Sequence, residues 1–330
     1  MPNINELPPD MGLCAASQRA AHPIGSQIVP LKTDVGHYAA NQRAAHQILD
    51  NPKIFEDPLA LRIIGAEAES KLRLSLAQFQ QPAVRALRAG MMVRNRYAED
   101  ELVRSIQRGV RQYVSLGAGL DTFAYRNSFP LLRVFEVDHP VTQAWKRSCL
   151  EKAAIPIPAS VTFVSVDFER QMMTDALRQS GFKNDELTFV SWLGVTGYLS
   201  QEAVISVLSS IVSSMRVGSE VVFDFAPPLQ LKETIRRIKE SFVVSGFSPT
   251  ASLLQQLRER AYRMIVNRTF KNKDFRWTYF DPASLTRDLK RIGFADVQLF
   301  GPKELNVRYC KDRTDGLRIQ NQMHMAKARV

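Results

Sequence analysis

An α/β fold built on a doubly wound parallel sheet is predicted by three features of this 330-residue chain. From Arg111 onward, short runs of β-favouring residues alternate with helical patterns, as in βαβ units. The run Tyr113–Leu116 enters a turn with Gly117 and Gly119, in the stretch YVSLGAGLD. Nineteen residues after Gly119, the apolar run VFEVDHP ends in Glu136 and Asp138. Glycines at a strand's end let the backbone approach a ligand, and an acid at the next strand's tip accepts hydrogen bonds from ribose hydroxyls. Ordinary strand-to-helix turns also contain Gly-x-Gly, so the offset of the acid carries the weight. The layout is that of a nucleotide-cofactor site. The third glycine of a dinucleotide fingerprint is missing, because its position holds Thr122. Without a pyrophosphate to cradle at the helix start, S-adenosylmethionine (SAM) fits better than NAD.

The elements follow in order. Residues 1–33 are proline-rich and aperiodic, and are expected to form a flexible lead-in. Within them SQRAAHPI (17–24) nearly repeats NQRAAHQI (41–48), one short echo rather than a repeat architecture. Helices are expected at 35–50 and 57–64, and a longer one runs from Ala83 to Arg108, started by Pro82. Residues 34–110 thus form a helical N-terminal layer. Strands are placed at 112–116, 133–137, 162–166, 187–192 and 220–225. Ser200 caps a helix that runs to Met215, with Glu202 in its first turn. Residues 228–276 read as basic helices without strand pattern, an inserted lid. A helix at 282–292, a strand at 296–300 and a last apolar-alternating segment close the chain. No Gly/Ser-rich linker divides it, so 34–330 is expected to be one catalytic domain.

Composition bounds the function. Hydrophobic residues at 45% and charged residues at 23% describe a globular chain able to bury a full core. No apolar run approaches the roughly 18 residues of a membrane span. The stretch MPNINELPPD has neither a basic nor an apolar leader region, so a cytoplasmic place is expected. Cys14, Cys149 and Cys310 are odd in number and widely spaced, which fits a reducing compartment and no zinc site. The net charge of +11 could draw in an acidic substrate, a carrier protein or nucleic acid. Its basic residues thicken in 232–239 and 258–276, yet form no unbroken block and lack aromatic interleaving. A solvated basic surface is the better account, with neither nucleic acid nor membrane as partner.

The long helix holds the sharpest single residue. Its apolar stripe runs Val84, Leu87, Met91, Ala98, Leu102, Ile106, and Arg94 fills the gap. Arg96 falls off the stripe. A core-facing guanidinium is costly unless paired. Two partners fit the pattern equally: a ligand carboxylate such as the amino-acid end of SAM, or a structural Asp or Glu. The third strand, VTFVSVDF, ends in Asp167 and Phe168, which would lie near a cofactor or simply cap the next helix. At the fourth strand's end, FVSWLGVTGYL sets Gly194 and Gly197 around a turn, with Trp192, Leu193, Thr196 and Tyr198. Late in the chain, Arg308, Tyr309, Arg313 and Asp315 suit an anionic substrate or a salt-bridged surface loop. His37, His46 and His139 show neither Ser/His/Asp nor metal-ligand spacing, and each is read as structural.

These residues in this order resemble the leucine carboxyl methyltransferase family, a branch of Rossmann-like SAM-dependent methyltransferases. The similarity runs from about Ala39 to the end, through QRAAHQILDNP-x-x-F-x-DPLA, VRNRYAED, VSLGAGLDTFAYR, FEVDHP, VDFE, WLGVTGYL and VRY-x-x-x-R-x-DGLR. It looks closest to the bacterial branch that methylates secondary metabolites. The resemblance implies that Arg94 clamps the SAM carboxylate and that Gly117, Ala118 and Gly119 pass beside its methionine portion. Asp138 would bind the ribose hydroxyls, and Asp167 and Phe168 the adenine. Many relatives have Glu-Gly where this chain has Leu193-Gly194, which removes a possible polar cofactor contact at Leu193. Phe123 stands where relatives often have arginine.

The implied activity is SAM-dependent O-methylation of a carboxylate, on a small metabolite or a peptide C-terminus. Arg308, Tyr198 and Tyr309 would orient the acceptor. A carboxylate is already a nucleophile, so proximity and alignment suffice, worth roughly 7–11 kcal/mol. A hydroxyl acceptor would instead want a base such as His37 or His139. From another class, an NAD-dependent oxidoreductase shares the glycine turn and the acid.

Overall fold

Five parallel strands carry the fold, and all but the third are buried on both faces by their own alternation. They are β1 (Gln112–Leu116), β2 (Arg133–Asp138), β3 (Val161–Ser165), β4 (Thr188–Trp192) and β5 (Glu220–Phe225). Tyr113, Val134, Phe189 and Val222 point into one core. Their neighbours Val114, Phe135, Val190 and Val221 point into the other. Side chains alternate across a strand, so continuous apolar runs make a sheet with helices on both sides. The computed structural model describes residues 28–167, 171, 173–228, 278–319 and 323–330, with backbone alone for 28–34.

The strand order is β3-β2-β1-β4-β5-β7-β6. The chain winds one way from β1 to β3, then restarts beside β1 at β4. The gap between β1 and β4 is therefore the switch point, where doubly wound sheets bind ligands at their carboxyl edge. Here one expectation needs correcting. The sheet is not wholly parallel, because β6 (Asp296–Phe300) and β7 (His324–Arg329) both pair antiparallel.

Helices fill the layers: α1 (Ile28–Leu49), α2 (Ala60–Ile64), α3 (Ala66–Leu74), α4 (Leu76–Phe79) and α5 (Pro82–Gln107) precede the sheet. After it begins come α6 (Phe123–Arg126), α7 (Pro140–Lys152), α8 (Met173–Gln179), α9 (Gln201–Ser214), α10 (Pro282–Arg291) and α11 (Pro302–Tyr309). Pro82 opens α5 as expected, and the Ser200 hydroxyl accepts from Ala203 N at 3.1 Å to cap α9. Helix α1 begins at Ile28, inside the stretch expected to be a flexible lead-in. Residues 1–27, the echo at 17–24, Phe168 and the lid expected at 228–276 (from 229 on) lie outside the described residues.

The N-terminal layer is fixed by buried charge rather than by apolar packing alone. Arg88, wholly buried on α5, grips Asp50 through Nε at 2.7 Å and Nη2 at 2.9 Å. His46 Nε2 accepts from the amides of Ile54 and Phe55 at 3.0 and 3.2 Å. Its Nδ1 therefore carries the proton and donates to Asp50 at 2.7 Å. Burial pulls the His46 pKa down and keeps the ring neutral, against the raising effect of Asp50. For Asp50, burial works upward but the bonds from His46 and Arg88 outweigh it, leaving its pKa at about 2.

Candidate active site

Parallel register brings the loops after β1, β2 and β4 to one edge: Leu116 pairs with both Val137 and Trp192. Two glycines there are demanded by close approach. Gly117, at φ +65°, leaves no room for a Cβ, which would sit 2.5 Å from Val195 Cγ2 across the switch point. Gly194, at φ +71°, would put one 2.6–2.9 Å from the guanidinium of Arg94. Both positions lie in the left-handed region that glycine reaches without strain.

Asp138 ends β2 with its carboxylate held in place. Oδ2 accepts from Gly119 N and Oδ1 from His139 N, each at 2.7 Å. It thus ties the glycine turn to the tip of the next strand, the offset seen in the sequence. Its carbonyl accepts from Val166 N at 2.9 Å, which brings Asp167 beside it at the end of β3. Glu136, two residues earlier, faces inward instead, where its carboxylate takes Lys146 Nζ and Tyr125 OH, both at 2.7 Å.

The residues after the glycine turn explain the missing third glycine. Thr122 donates its hydroxyl to the buried Asp57 at 2.6 Å, and the Arg43 guanidinium forms an ion pair with the same carboxylate, Nε 2.6 Å away. Position 122 is thereby a rivet between the sheet and the N-terminal layer. The helix that follows is a single turn, and its start is occupied by an acid: Asp121 Oδ1 accepts from Phe123 N at 2.7 Å. Burial raises the Asp121 pKa, but Arg43, Arg126 and Lys146 together outweigh it and hold the carboxyl ionised. A pyrophosphate has no place beside that carboxylate.

Arg94 reaches the same edge from α5. Its Nη1 lies 3.2 Å from Asp224 Oδ2, while Asp224 Oδ1 accepts from Gly194 N at 2.5 Å. Thr196 Oγ1 fixes the backbone of Asp224 at 2.6 Å. Arg94 Nε is buried without a hydrogen-bond partner among the described residues. The buried face of α5 is centred on Ala89, Val93 and Tyr97. Arg94 sits at its rim, and the stripe read from sequence was rotated by part of a turn. Tyr198 stands close enough to feel both Arg94 and Asp224, and burial raises its pKa so that the hydroxyl stays protonated.

Two expected residues are not brought here. Arg308 and Tyr309 end α11 against the flank of α5: Arg308 Nη2 is 3.3 Å from Glu101 and Tyr309 OH donates to Asp100 at 2.9 Å. The Arg308 guanidinium also covers the rings of Tyr97 and Tyr309 at 5.2 and 5.1 Å. They join two helices, at Asp100 and Glu101 rather than at Arg94. Arg313 and Asp315 are a bidentate pair with each other at 3.0 and 2.6 Å. Asp224 was not foreseen, although an acid inside the apolar strand EVVFDF is the same kind of signal as Arg94.

Residues 37–212 match the leucine carboxyl methyltransferase family. The chain belongs to that family. A Bacillus subtilis protein provisionally named SAM-dependent methyltransferase YktD is 44% identical over 140 residues, 41% of this chain and 45% of that one. A Mycobacterium avium protein with the same kind of name is 30% identical over 181 residues, 52% of this chain and 57% of that one. The chain spans about half the length of these curated relatives. A solved structure of a DUF574-family protein from Streptomyces avermitilis shares the fold. Its TM-score is 0.50 at 14% identity, covering 91% of this chain and 99% of that one.

The motifs that carry the resemblance divide into scaffold and candidate site. Arg43, His46, Gln47 and Asp50 of QRAAHQILD hold the loop 51–59, with Gln47 bonding Phe55 O and Asp57 N at 3.0 and 3.2 Å. In VRNRYAED, Arg96 pairs with Asp100 and Glu99 with Arg126, so only Arg94 turns to the strand ends. Phe123 is buried edge-on against Tyr113 at 5.1 Å, filling core in place of a charge. Leu193 packs on the α5-side core. Among the described residues no helix is long and apolar enough to cross a membrane.

Proposed function

We propose that the protein methylates a carboxylate oxygen with SAM, releasing a methyl ester and S-adenosylhomocysteine. The observation that carries the choice of cofactor is the pairing of opposite features on either side of the glycine turn. On one side Asp121 already occupies the start of α6, where NAD would need its pyrophosphate. On the other, Arg94 offers an incompletely bonded guanidinium, a planar partner for the carboxylate that SAM carries and NAD lacks.

The residues fit the cofactor end to end. Arg94 takes the amino-acid carboxylate, the turn Gly117–Ala118–Gly119 passes beside the methionine portion, and Asp138 accepts from the ribose hydroxyls. Asp167 borders the adenine. Bound SAM supplies an electrophilic methyl on a sulfonium, whose C–S bond breaks as the acceptor oxygen bonds to carbon. Tyr198, kept neutral by burial, donates to the acceptor and aligns it.

A carboxylate acceptor has no proton to lose, and the described histidines are placed for other work. His46 is locked to Asp50, His37 packs on the Trp145 ring at 4.3 Å, and His139 Nδ1 caps α7 through Val141 N at 3.3 Å. His324 packs on Phe225 at 5.4 Å. This favours a small-metabolite or peptide carboxylate over a hydroxyl. Incubation with labelled SAM and candidate acids, followed by mass spectrometry, is expected to give a base-labile methyl ester. A base-stable ether as sole product would assign a hydroxyl acceptor instead.

A further inference from the structure

The ion pair at the strand ends is less fully closed than three other arginine–carboxylate pairs among the described residues. Arg88–Asp50 closes with two bonds at 2.7 and 2.9 Å, Arg313–Asp315 with two at 3.0 and 2.6 Å, and Arg126–Glu99 is likewise bidentate. Arg94 meets Asp224 through one nitrogen at 3.2 Å, although the two side chains are only 15% and 10% exposed. A guanidinium and a carboxylate that serve only to hold each other frequently align fork to fork. Here the geometry is spent otherwise. Asp224 Oδ1 is steered to Gly194 N, its backbone is pinned by Thr196, and Arg94 keeps a buried donor without a partner among the described residues.

Each carboxylate oxygen can accept twice, and the described contacts use one site on each. The pair therefore presents a spare cationic edge and spare anionic lone pairs side by side. The amino-acid end of SAM is the complementary object, a carboxylate and an ammonium on one carbon. We infer that Asp224 is a cofactor-binding residue that accepts from the SAM ammonium, so that Arg94 and Asp224 together read both charges of the zwitterion. This rests on the placement of the SAM carboxylate at Arg94 proposed above.

The test compares S-adenosylhomocysteine with its des-amino analogue, which keeps the carboxylate and lacks the ammonium, by calorimetry on the full chain. The wild type is expected to prefer the amino ligand by roughly tenfold or more, the effect of one charge-assisted hydrogen bond. Asp224→Asn is isosteric and keeps an oxygen for Gly194 N, so folding is preserved. In that variant the preference is expected to shrink to within about twofold, because an amide cannot pair with an ammonium as a carboxylate does. An undiminished preference in Asp224→Asn, including an equal weakening of both ligands, overturns the assignment of Asp224 alone. Absence of preference in the wild type overturns it too. A wild type that binds neither ligand overturns the SAM site itself. Arg94→Met separates the two halves, since it is expected to weaken both ligands while the amino preference survives.

Discussion

The α-carbon of Gly194 lies flush against the guanidinium of Arg94, so close that a Cβ would stand 2.6 Å from Nη2. A loop after β4 and a side chain from α5 are thereby locked in one geometry at the sheet's carboxyl edge. Gly194→Ala must both strain a φ of +71° and push the guanidinium aside. The backbone term costs about 1–2 kcal/mol. The displacement should also weaken SAM binding roughly tenfold or more, since a bidentate contact tolerates little misplacement. Calorimetry with S-adenosylhomocysteine checks this. Wild-type affinity in Gly194→Ala would show that the contact between loop and arginine is irrelevant to the cofactor.

Asp138 carries two loads. Asp138→Ala removes the acceptor proposed for the ribose and also leaves Gly119 N and His139 N without their 2.7 Å partner. The first loss weakens SAM by about 1.5–3 kcal/mol, and the second lowers the melting temperature of the ligand-free protein. Both shifts should appear in one pair of melts, with and without SAM. A variant destabilised but unchanged in SAM affinity would leave Asp138 a purely structural tie.

Acid should loosen the N-terminal layer. The folded His46 pKa lies below its ordinary 6.5, so beneath that pH the unfolded chain binds a proton that the folded ring refuses. Stability is then full above about 6.5 and falls as pH drops toward the folded value. Asp50 acts lower down: its stabilisation, present above 3.8, is lost as pH falls toward about 2. Urea midpoints measured from pH 7 to 5 should decline in the wild type and flatten in His46→Gln. Equal slopes would mean that His46 titrates normally.

The central sheet was legible because strands buried on both faces leave unbroken apolar runs. Strands β1 and β5 were placed to the residue, and β2 to β4 within one. Strands β6 and β7 were found, but their direction was not, since an apolar alternation carries no sign of parallel or antiparallel pairing. The gathering of Gly117, Asp138 and Arg94 at one sheet edge was legible where chemistry interrupts a pattern. The contacts of a single cation were not legible where charge is abundant. Arg308 sits in an equally suggestive cluster, yet Asp100 and Glu101 on α5 absorb it. Arg88 shows the limit of periodicity, because the stripe drawn through Arg94 leaves out this still deeper cation, whose partner is 38 residues away.

The measurement that bears most directly on the SAM site is calorimetric titration of S-adenosylhomocysteine into wild type and Arg94→Lys. Lysine keeps a positive charge beside Asp224, so the ligand-free melting temperature should move by only a few degrees. It loses the planar two-point contact with the cofactor carboxylate, so affinity should fall by roughly tenfold or more. Arg94→Met removes the charge as well and should lose further affinity, with Asp224 then keeping only its bond from Gly194 N. Undiminished affinity in both variants would contradict the placement of the cofactor at Arg94 and return Arg94–Asp224 to a structural ion pair.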